Sequence, residues 1–250
     1  MTRPPRALVL GGSTEGFAVA ERLVALGADV VTSFAGRTER RRAPAGHVRV
    51  GGFGGPDGLA AYLEAEKIAV AIDATHPFAA RMKANAAEAC RAAGVPLAHV
   101  ERPAWAAVAG DDWREAADVS EAAAMIPATP GPCLVTVGRQ ELMPFTARTD
   151  LVLLLRMIDP LAAPFPHPRA EILLDRGPFS LESERALFET RIVGSVVAKN
   201  SGGAAAEAKL TVARERGLPV IMVRRPPRPE GLTFATPEAA VGWAAARIGL

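Results

Sequence analysis

Cysteine is scarce in this chain: Cys90 and Cys133 stand far apart, with no Cys-x-x-Cys pair and no cluster of histidines near either. That spacing argues against a disulfide scaffold and against a thiolate zinc site, so no metal is expected. Long apolar runs are missing too. None approaches the ~18 residues of a membrane span, and the opening Met1-Thr2-Arg3-Pro4-Pro5-Arg6 lacks the apolar stretch of a secretory signal. The expectation is a cytoplasmic protein that binds no membrane. Neither charge sign dominates: 29 basic residues face 27 acidic ones for a formal +2, which argues against the basic face that nucleic-acid binding needs. Aromatics make up only 5%, and lysine is rare, because 25 of the 29 basic residues are arginine. With so general a bias, arginine number alone carries little weight; a local arginine cluster for an anionic small molecule stays compatible with it.

Short apolar runs alternate with segments of helical period. Strands are expected at Ala7 to Leu10, Val30 to Phe34, Ile68 to Ile72, Pro96 to Val100, Cys133 to Val137, Leu151 to Leu155, Ala170 to Leu174, Val193 to Ala198 and Val220 to Val223. Helical periods lie around Phe17 to Leu26, Phe78 to Ala93, Gln140 to Phe145, Leu181 to Thr190, Ala204 to Arg216 and Pro237 to Ile248. The stretch from Arg102 to Pro132 reads as a crossover between two halves. This βα repetition predicts an α/β fold: two Rossmann-like lobes with mainly parallel sheets and a cleft between them. The expected domains are residues 1–103 and 104–250.

Directly after the first strand stands Gly11-Gly12-Ser13-Thr14-Glu15-Gly16, and a helix begins inside it. Glycines there permit a tight turn and close backbone approach, and the N–H groups of the first helical turn suit a pyrophosphate. Serine replaces the middle glycine of the usual dinucleotide fingerprint; its hydroxyl, or that of Thr14, offers a phosphate donor instead. The alternative is a packing turn without a ligand. The second strand ends without the acid that an NAD ribose normally meets, whereas Arg37 offers a cationic fork for a 2′-phosphate, next to Ser33 and Thr38.

Two further loops carry chemistry-bearing residues. Asp73-Ala74-Thr75-His76-Pro77-Phe78 follows a central strand, where ligands of open parallel sheets bind, so Thr75 and His76 are candidate contacts and His76 a candidate proton donor. A helix-capping Thr75 and a structural His76 explain the same residues. In the second half, Lys199-Asn200-Ser201-Gly202-Gly203 leaves a strand and enters a helix bearing Lys209, combining a cation, an amide, a hydroxyl and glycines. Arg139 and Asp175-Arg176-Gly177-Pro178-Phe179 stand at other strand ends.

These tracts, with Ala35-Gly36-Arg37-Thr38 and Glu101-Arg102-Pro103-Ala104-Trp105, together resemble the precorrin-6A reductases of cobalamin biosynthesis, from residue 7 to residue 226. The resemblance implies NADPH-dependent reduction of precorrin-6A to precorrin-6B, with hydride delivered to one carbon of the C18–C19 double bond and a proton to the other. It extends to the cobalt-precorrin-6A reductases of the anaerobic route, with the metal-free substrate favoured. On this reading Gly11, Gly12, Ser13, Thr14, Glu15 and Gly16 hold the pyrophosphate, Ser33, Arg37 and Thr38 the 2′-phosphate end, and Thr75 and His76 the part nearer the nicotinamide. Arg81, Arg102, Arg139, Arg176, Lys199, Asn200, Ser201, Gly202 and Lys209 are the candidates for a carboxylate-rich tetrapyrrole, and His76 and Lys199 for the proton. The implied partner is that small molecule, with room for transient contact with neighbouring pathway enzymes.

Two rivals belong to other classes. An S-adenosylmethionine-dependent methyltransferase also uses a glycine-rich turn, but normally wants a carboxylate where Arg37 stands. A non-catalytic NADP-binding regulator has no obvious use for the Lys199 to Gly203 loop.

Overall fold

The computed structural model describes residues 4–34 and 43–250. Two compact units emerge, one of residues 1–103 and 227–250, the other of residues 104–226. The first begins β1 (Arg6–Leu10), α1 (Thr14–Ala25), β2 (Asp29–Phe34), β3 (His47–Val50), α2 (Pro56–Ala65), β4 (Ile68–Asp73), α3 (Ala80–Ala92) and β5 (Leu97–Val100). The second contains β6 (Asp112–Ala116), α4 (Val119–Met125), β7 (Cys133–Thr136), β8 (Leu153–Met157), β9 (Ala170–Leu174), α5 (Leu181–Thr190), β10 (Ser195–Lys199), α6 (Ala208–Glu215) and β11 (Pro219–Val223). The chain then supplies β12 (Leu232–Phe234) and α7 (Pro237–Ile248) to the first unit.

Each unit is built on a six-stranded sheet, ordered β3-β2-β1-β4-β5-β12 in the first and β9-β8-β7-β10-β11-β6 in the second. Every pairing is parallel. Both sheets therefore have the doubly wound order, with a switch point between β1 and β4 and its counterpart between β7 and β10.

The first sheet shows why an unbroken apolar run makes such a strand. Ala7 and Val9 of β1 join a core cluster with Val19 and Leu23 of α1 and Ala240 and Ala244 of α7. Leu8 and Leu10 join a different cluster with Leu59 and Leu63 of α2 and Ala86 of α3. Side chains alternate across a strand, so helices on both faces demand apolar residues at every position. In the second unit Leu134, Val196, Ala198 and Met222 form the core with Phe188 of α5 and Leu210 of α6.

Helix ends follow local chemistry. Ser13 caps α1, Asp118 caps α4, Ser180 caps α5 and Thr236 caps α7, each accepting from a backbone N–H of the first turn. Gly249, in the left-handed region at φ +76°, closes α7.

Several sequence expectations are corrected. Residues 227–250, grouped by sequence with the second domain, belong to the first: β12 pairs with β5, and α7 packs on α1, β4 and β5. The stretch from Arg102 to Pro132 is more than a crossover, because it holds β6 and α4. Also unexpected were β3, at a sheet edge with mostly exposed residues, and α2. Between Arg139 and Ala147 the chain forms two 3₁₀ segments and no α-helix, and Leu151 precedes β8, which begins at Leu153.

Candidate functional site

In the first unit the candidate residues gather at the carboxyl ends of β1, β2 and β4. The turn after β1 is tied to both neighbours: the Gly11 N–H donates to the Ser33 carbonyl at 2.9 Å and the Ala74 N–H to the Leu10 carbonyl at 2.9 Å. Gly11 has no room for a side chain, since a Cβ would lie 2.9 Å from Thr32 Cγ2. At Gly16 a Cβ would sit 3.1 Å from Gly11 Cα, so glycine lets α1 approach the strand end. Gly12, at φ +119°, borders open space.

Ser13 departs from expectation. Its hydroxyl accepts from the Gly16 N–H at 3.1 Å and gives its proton to the Ala74 carbonyl at 2.7 Å. A hydroxyl has one proton, so Ser13 braces the turn and the proposed phosphate donation from it is not available in this arrangement. Thr14 is exposed at the first position of α1. Glu15 meets Arg102, whose Nη1 lies 2.9 and 3.1 Å from the carboxylate oxygens. Burial pushes the Glu15 carboxyl up, but its own backbone N–H and Arg102 outweigh this and hold it below the usual value. Arg102, a sequence candidate for substrate carboxylates, thus carries a carboxylate of its own unit.

At the end of β4 lies a buried polar cluster that sequence reasoning missed. Asp73, fully buried, accepts from the Thr75 N–H at 3.0 Å and hydroxyl at 2.6 Å, and from Lys83 Nζ at 3.3 Å; His99 Nδ1 lies 2.9 Å from it. Lys83 is equally buried and also lies 3.7 Å from Glu101. Burial alone raises a carboxyl; the His99 ring, the Lys83 ammonium and the Thr75 donors reverse this and hold Asp73 at about 2. One signal was available: Lys83 falls on the same helical stripe as Ala86 and Cys90, and a lysine on a buried stripe requires an anion. His76 is half-buried, and its Nδ1 accepts from the Phe78 N–H at 3.2 Å, which places the ring proton on Nε2. Ser33 is buried at the end of β2. Arg37 and Thr38 lie outside the described residues, and Arg81 is exposed at the start of α3.

The second unit gathers a different set. Lys199 ends β10 and pairs with Glu141 at 2.5 Å, beside Arg139 in the same 3₁₀ turn. Asn200 does not present its amide outward: its Oδ1 accepts from the Trp105 N–H at 2.8 Å and its Nδ2 donates to the Trp105 carbonyl at 2.9 Å. Arg225 donates to the carbonyls of Asn200 and Ser201, fixing the backbone that leads to Gly202, at φ +68°. Lys209 is buried rather than loop-facing. Its ammonium donates to the Ala206 carbonyl and lies 5.1 Å from the centre of the Trp105 ring. Burial pulls it down to about 7, and Arg156 adds to this against Glu184 and Glu207. Arg156 pairs with buried Glu184 and stacks 4.1 Å from the Phe179 ring. Trp105 therefore links the Lys199 loop to Lys209. Arg176 stays exposed three strands away, after β9, with β7 and β8 between.

Among the described residues no group of three His, Cys, Asp or Glu is arranged to hold a metal, and no helix is long and apolar enough to cross a membrane.

The sequence profile of the family described as "Precorrin-6x reductase CbiJ/CobK" matches residues 6–245. A precorrin-6A reductase of Rhodobacter capsulatus is 45% identical over 96% of each chain, and one of Rhodococcus erythropolis is 42% identical over 95% of this chain and 96% of that one. A cobalt-precorrin-6A reductase of Priestia megaterium is 28% identical over 94% of this chain and 96% of that one. A solved structure named CobK precorrin-6A reductase superposes with a TM-score of 0.92 at 44% identity, covering 97% of both chains. The chain belongs to the precorrin-6x reductase CbiJ/CobK family.

Proposed function

We propose that this chain reduces precorrin-6A to precorrin-6B in cobalamin biosynthesis, taking its hydride from NADPH. The carrying observation is family membership together with a glycine turn placed beside the switch point of a doubly wound sheet. The turn fits a dinucleotide: Gly11 and Gly16 have no space for a side chain, and Gly12 opens onto empty space at the N-terminus of α1. The metal-free substrate is favoured because relatives named for it reach 45% identity, whereas the Priestia megaterium relative named for the cobalt form stands at 28%.

The nicotinamide, when bound, supplies the hydride. The protein binds and orients. Backbone N–H groups of Gly12, Ser13 and Thr14 and the Thr14 hydroxyl hold the pyrophosphate, while Gly11 and Gly16, whose N–H groups are bonded within the unit, shape the turn with the Ser13 hydroxyl and Glu15. Ser33, with Arg37 and Thr38, takes the adenosine end. Thr75, locked by Asp73, and His76 face the nicotinamide side. With its Nδ1 held by the Phe78 N–H, the neutral His76 ring orients the reacting groups through its Nε2–H donor, and the proton for the carbon opposite the hydride comes from water. Lys199, with Arg139, Arg176 and the Ser201–Gly202 backbone, takes the carboxylates of the macrocycle, and Asn200 and Lys209 hold that loop in shape. Arg81 is a further candidate for the macrocycle carboxylates, and Arg102 pairs with Glu15 of the cofactor turn.

The deciding measurement is loss of NADPH absorbance upon addition of precorrin-6A, and its absence with S-adenosylmethionine or without the tetrapyrrole. No oxidation of NADPH would refute the activity; faster turnover of cobalt-precorrin-6A would reassign the substrate. Lys199→Ala should raise KM for the tetrapyrrole about tenfold with little change in NADPH affinity.

A further inference from the structure

The strand next to β2 carries an arginine at its carboxyl end. Register places Leu10 beside Ser33 and Ser33 beside Arg49, so the ends of β1, β2 and β3 line one edge of the sheet. Arg49 is held firmly there. Its Nη1 donates to the Gly51 carbonyl at 2.7 Å and reaches the Ser33 hydroxyl at 3.4 Å, and its Nη2 donates to the Gly52 carbonyl at 2.8 Å. The guanidinium carbon lies 3.7 Å from the centre of the Phe53 ring and 5.2 Å from that of Tyr62. No carboxylate among the described residues pairs with it. The fold therefore fixes a planar cation, stacked and oriented by neutral groups, without pairing it with any anion among the described residues. A guanidinium has five N–H groups, and these contacts leave donors over.

Position says which anion. Adjacent strands lie about 4.8 Å apart, so the end of β3 stands roughly 10 Å from the pyrophosphate-binding turn after β1. That is the reach of a ribose carrying a phosphate. We propose that Arg49, with Ser33 beside it, receives the 2′-phosphate of the dinucleotide and sets the preference for NADPH over NADH. The proposal rests on the NADPH reading above, and differs from it in naming a residue outside the Arg37 segment.

The test is calorimetric binding of NADPH, NADH, 2′,5′-ADP and 5′-AMP to the wild type, Arg49→Met, Arg49→Lys and Arg37→Ala, with thermal melting to check folding. Arg49→Met should lose about 10- to 100-fold in affinity for NADPH and 2′,5′-ADP, the value of charge-assisted hydrogen bonds, while NADH and 5′-AMP change less than about twofold. Arg49→Lys, which keeps the charge but not the fork, should fall between, and serves alone if the methionine variant does not fold. Added salt should weaken NADPH binding more in the wild type than in Arg49→Met. Equal losses for NADPH and NADH, or none in a protein whose wild type prefers NADPH, overturn the role of Arg49 and leave the cofactor reading intact. A wild type that binds both dinucleotides equally overturns both.

Discussion

The two units place a lysine at corresponding points of the same topology and treat it in opposite ways. In the first, β4 ends at Asp73 and Lys83 follows on α3; in the second, β10 ends at Lys199 and Lys209 follows on α6, ten residues on in each case. Both ammonium groups are buried. Lys83 has Asp73 at 3.3 Å and Glu101 at 3.7 Å. Lys209 has a carbonyl, an aromatic face and, nearby, an arginine that already holds Glu184. Equal burial thus yields a charge anchored in an ion network on one side and a charge easily lost near neutral pH on the other. The difference lies in the charged neighbour: Lys83 has the Asp73 carboxylate that ends its strand, whereas Lys209 has Arg156.

The largest effect should come from removing the anion of the first cluster. Asp73→Asn leaves Lys83 buried without its nearest carboxylate and should cost about 3–5 kcal/mol, read by urea unfolding. Because Asp73 is held below its ordinary 3.8, at about 2, its contribution is present in full above pH 3.8 and is lost as pH falls through 2. The variant should show no such acid transition. Next in size is the compensation: adding Lys83→Met to Asp73→Asn should recover about 1–3 kcal/mol, since the two partners share one interaction. If the two losses simply add, the pair is not the unit described.

Lys209→Met should behave differently from either. At pH 7 it should be as stable as the wild type within about 1 kcal/mol, or more stable, because it removes a desolvated cation. The folded ammonium titrates at about 7 and the unfolded one at 10.5, so the unfolded chain binds more protons in that window and wild-type stability rises with pH across it. Any advantage of the variant should therefore shrink between pH 7 and 10.5. A constant difference would show that Lys209 is charged in both states. The smallest contrast concerns the thiols, Cys90 in one unit and Cys133 in the other, both buried and both pushed up to about 12 by desolvation. Neither should react with iodoacetamide at neutral pH except through unfolding; faster labelling of one would mark its unit as the looser.

Much of the fold could be read from sequence where local physics decides it. Leu181–Thr190 and Pro237–Ile248 were expected with the observed ends, because Ser180 and Thr236 cap them and their apolar spacing is regular. Strands β3 and β6 escaped notice because they lie at the outer positions of their sheets and carry residues such as His47, Arg49, Asp112 and Arg114, which break the apolar run. The candidate site divides in the same way. Gly11 to Gly16 and Thr75 were legible as loop chemistry at strand ends. What those residues bond was not: Ser13 was expected to meet a phosphate and caps a helix, and Asn200 was expected to meet a ligand and clasps Trp105.

By itself the sequence determined the parallel α/β class, most strand and helix positions and the glycine turn, since each follows from period, capping or short motifs within about 15 residues; the family came from the resemblance of several such tracts, in order, between residues 7 and 226. Only the tertiary structure decided that β6 completes the second sheet, that β12 and α7 return to the first, and that Lys83 finds Asp73 while Arg156 claims Glu184. Those outcomes depend on edge hydrogen bonds and buried charge pairing between residues far apart in the chain, energies that appear only once the strands have been brought together.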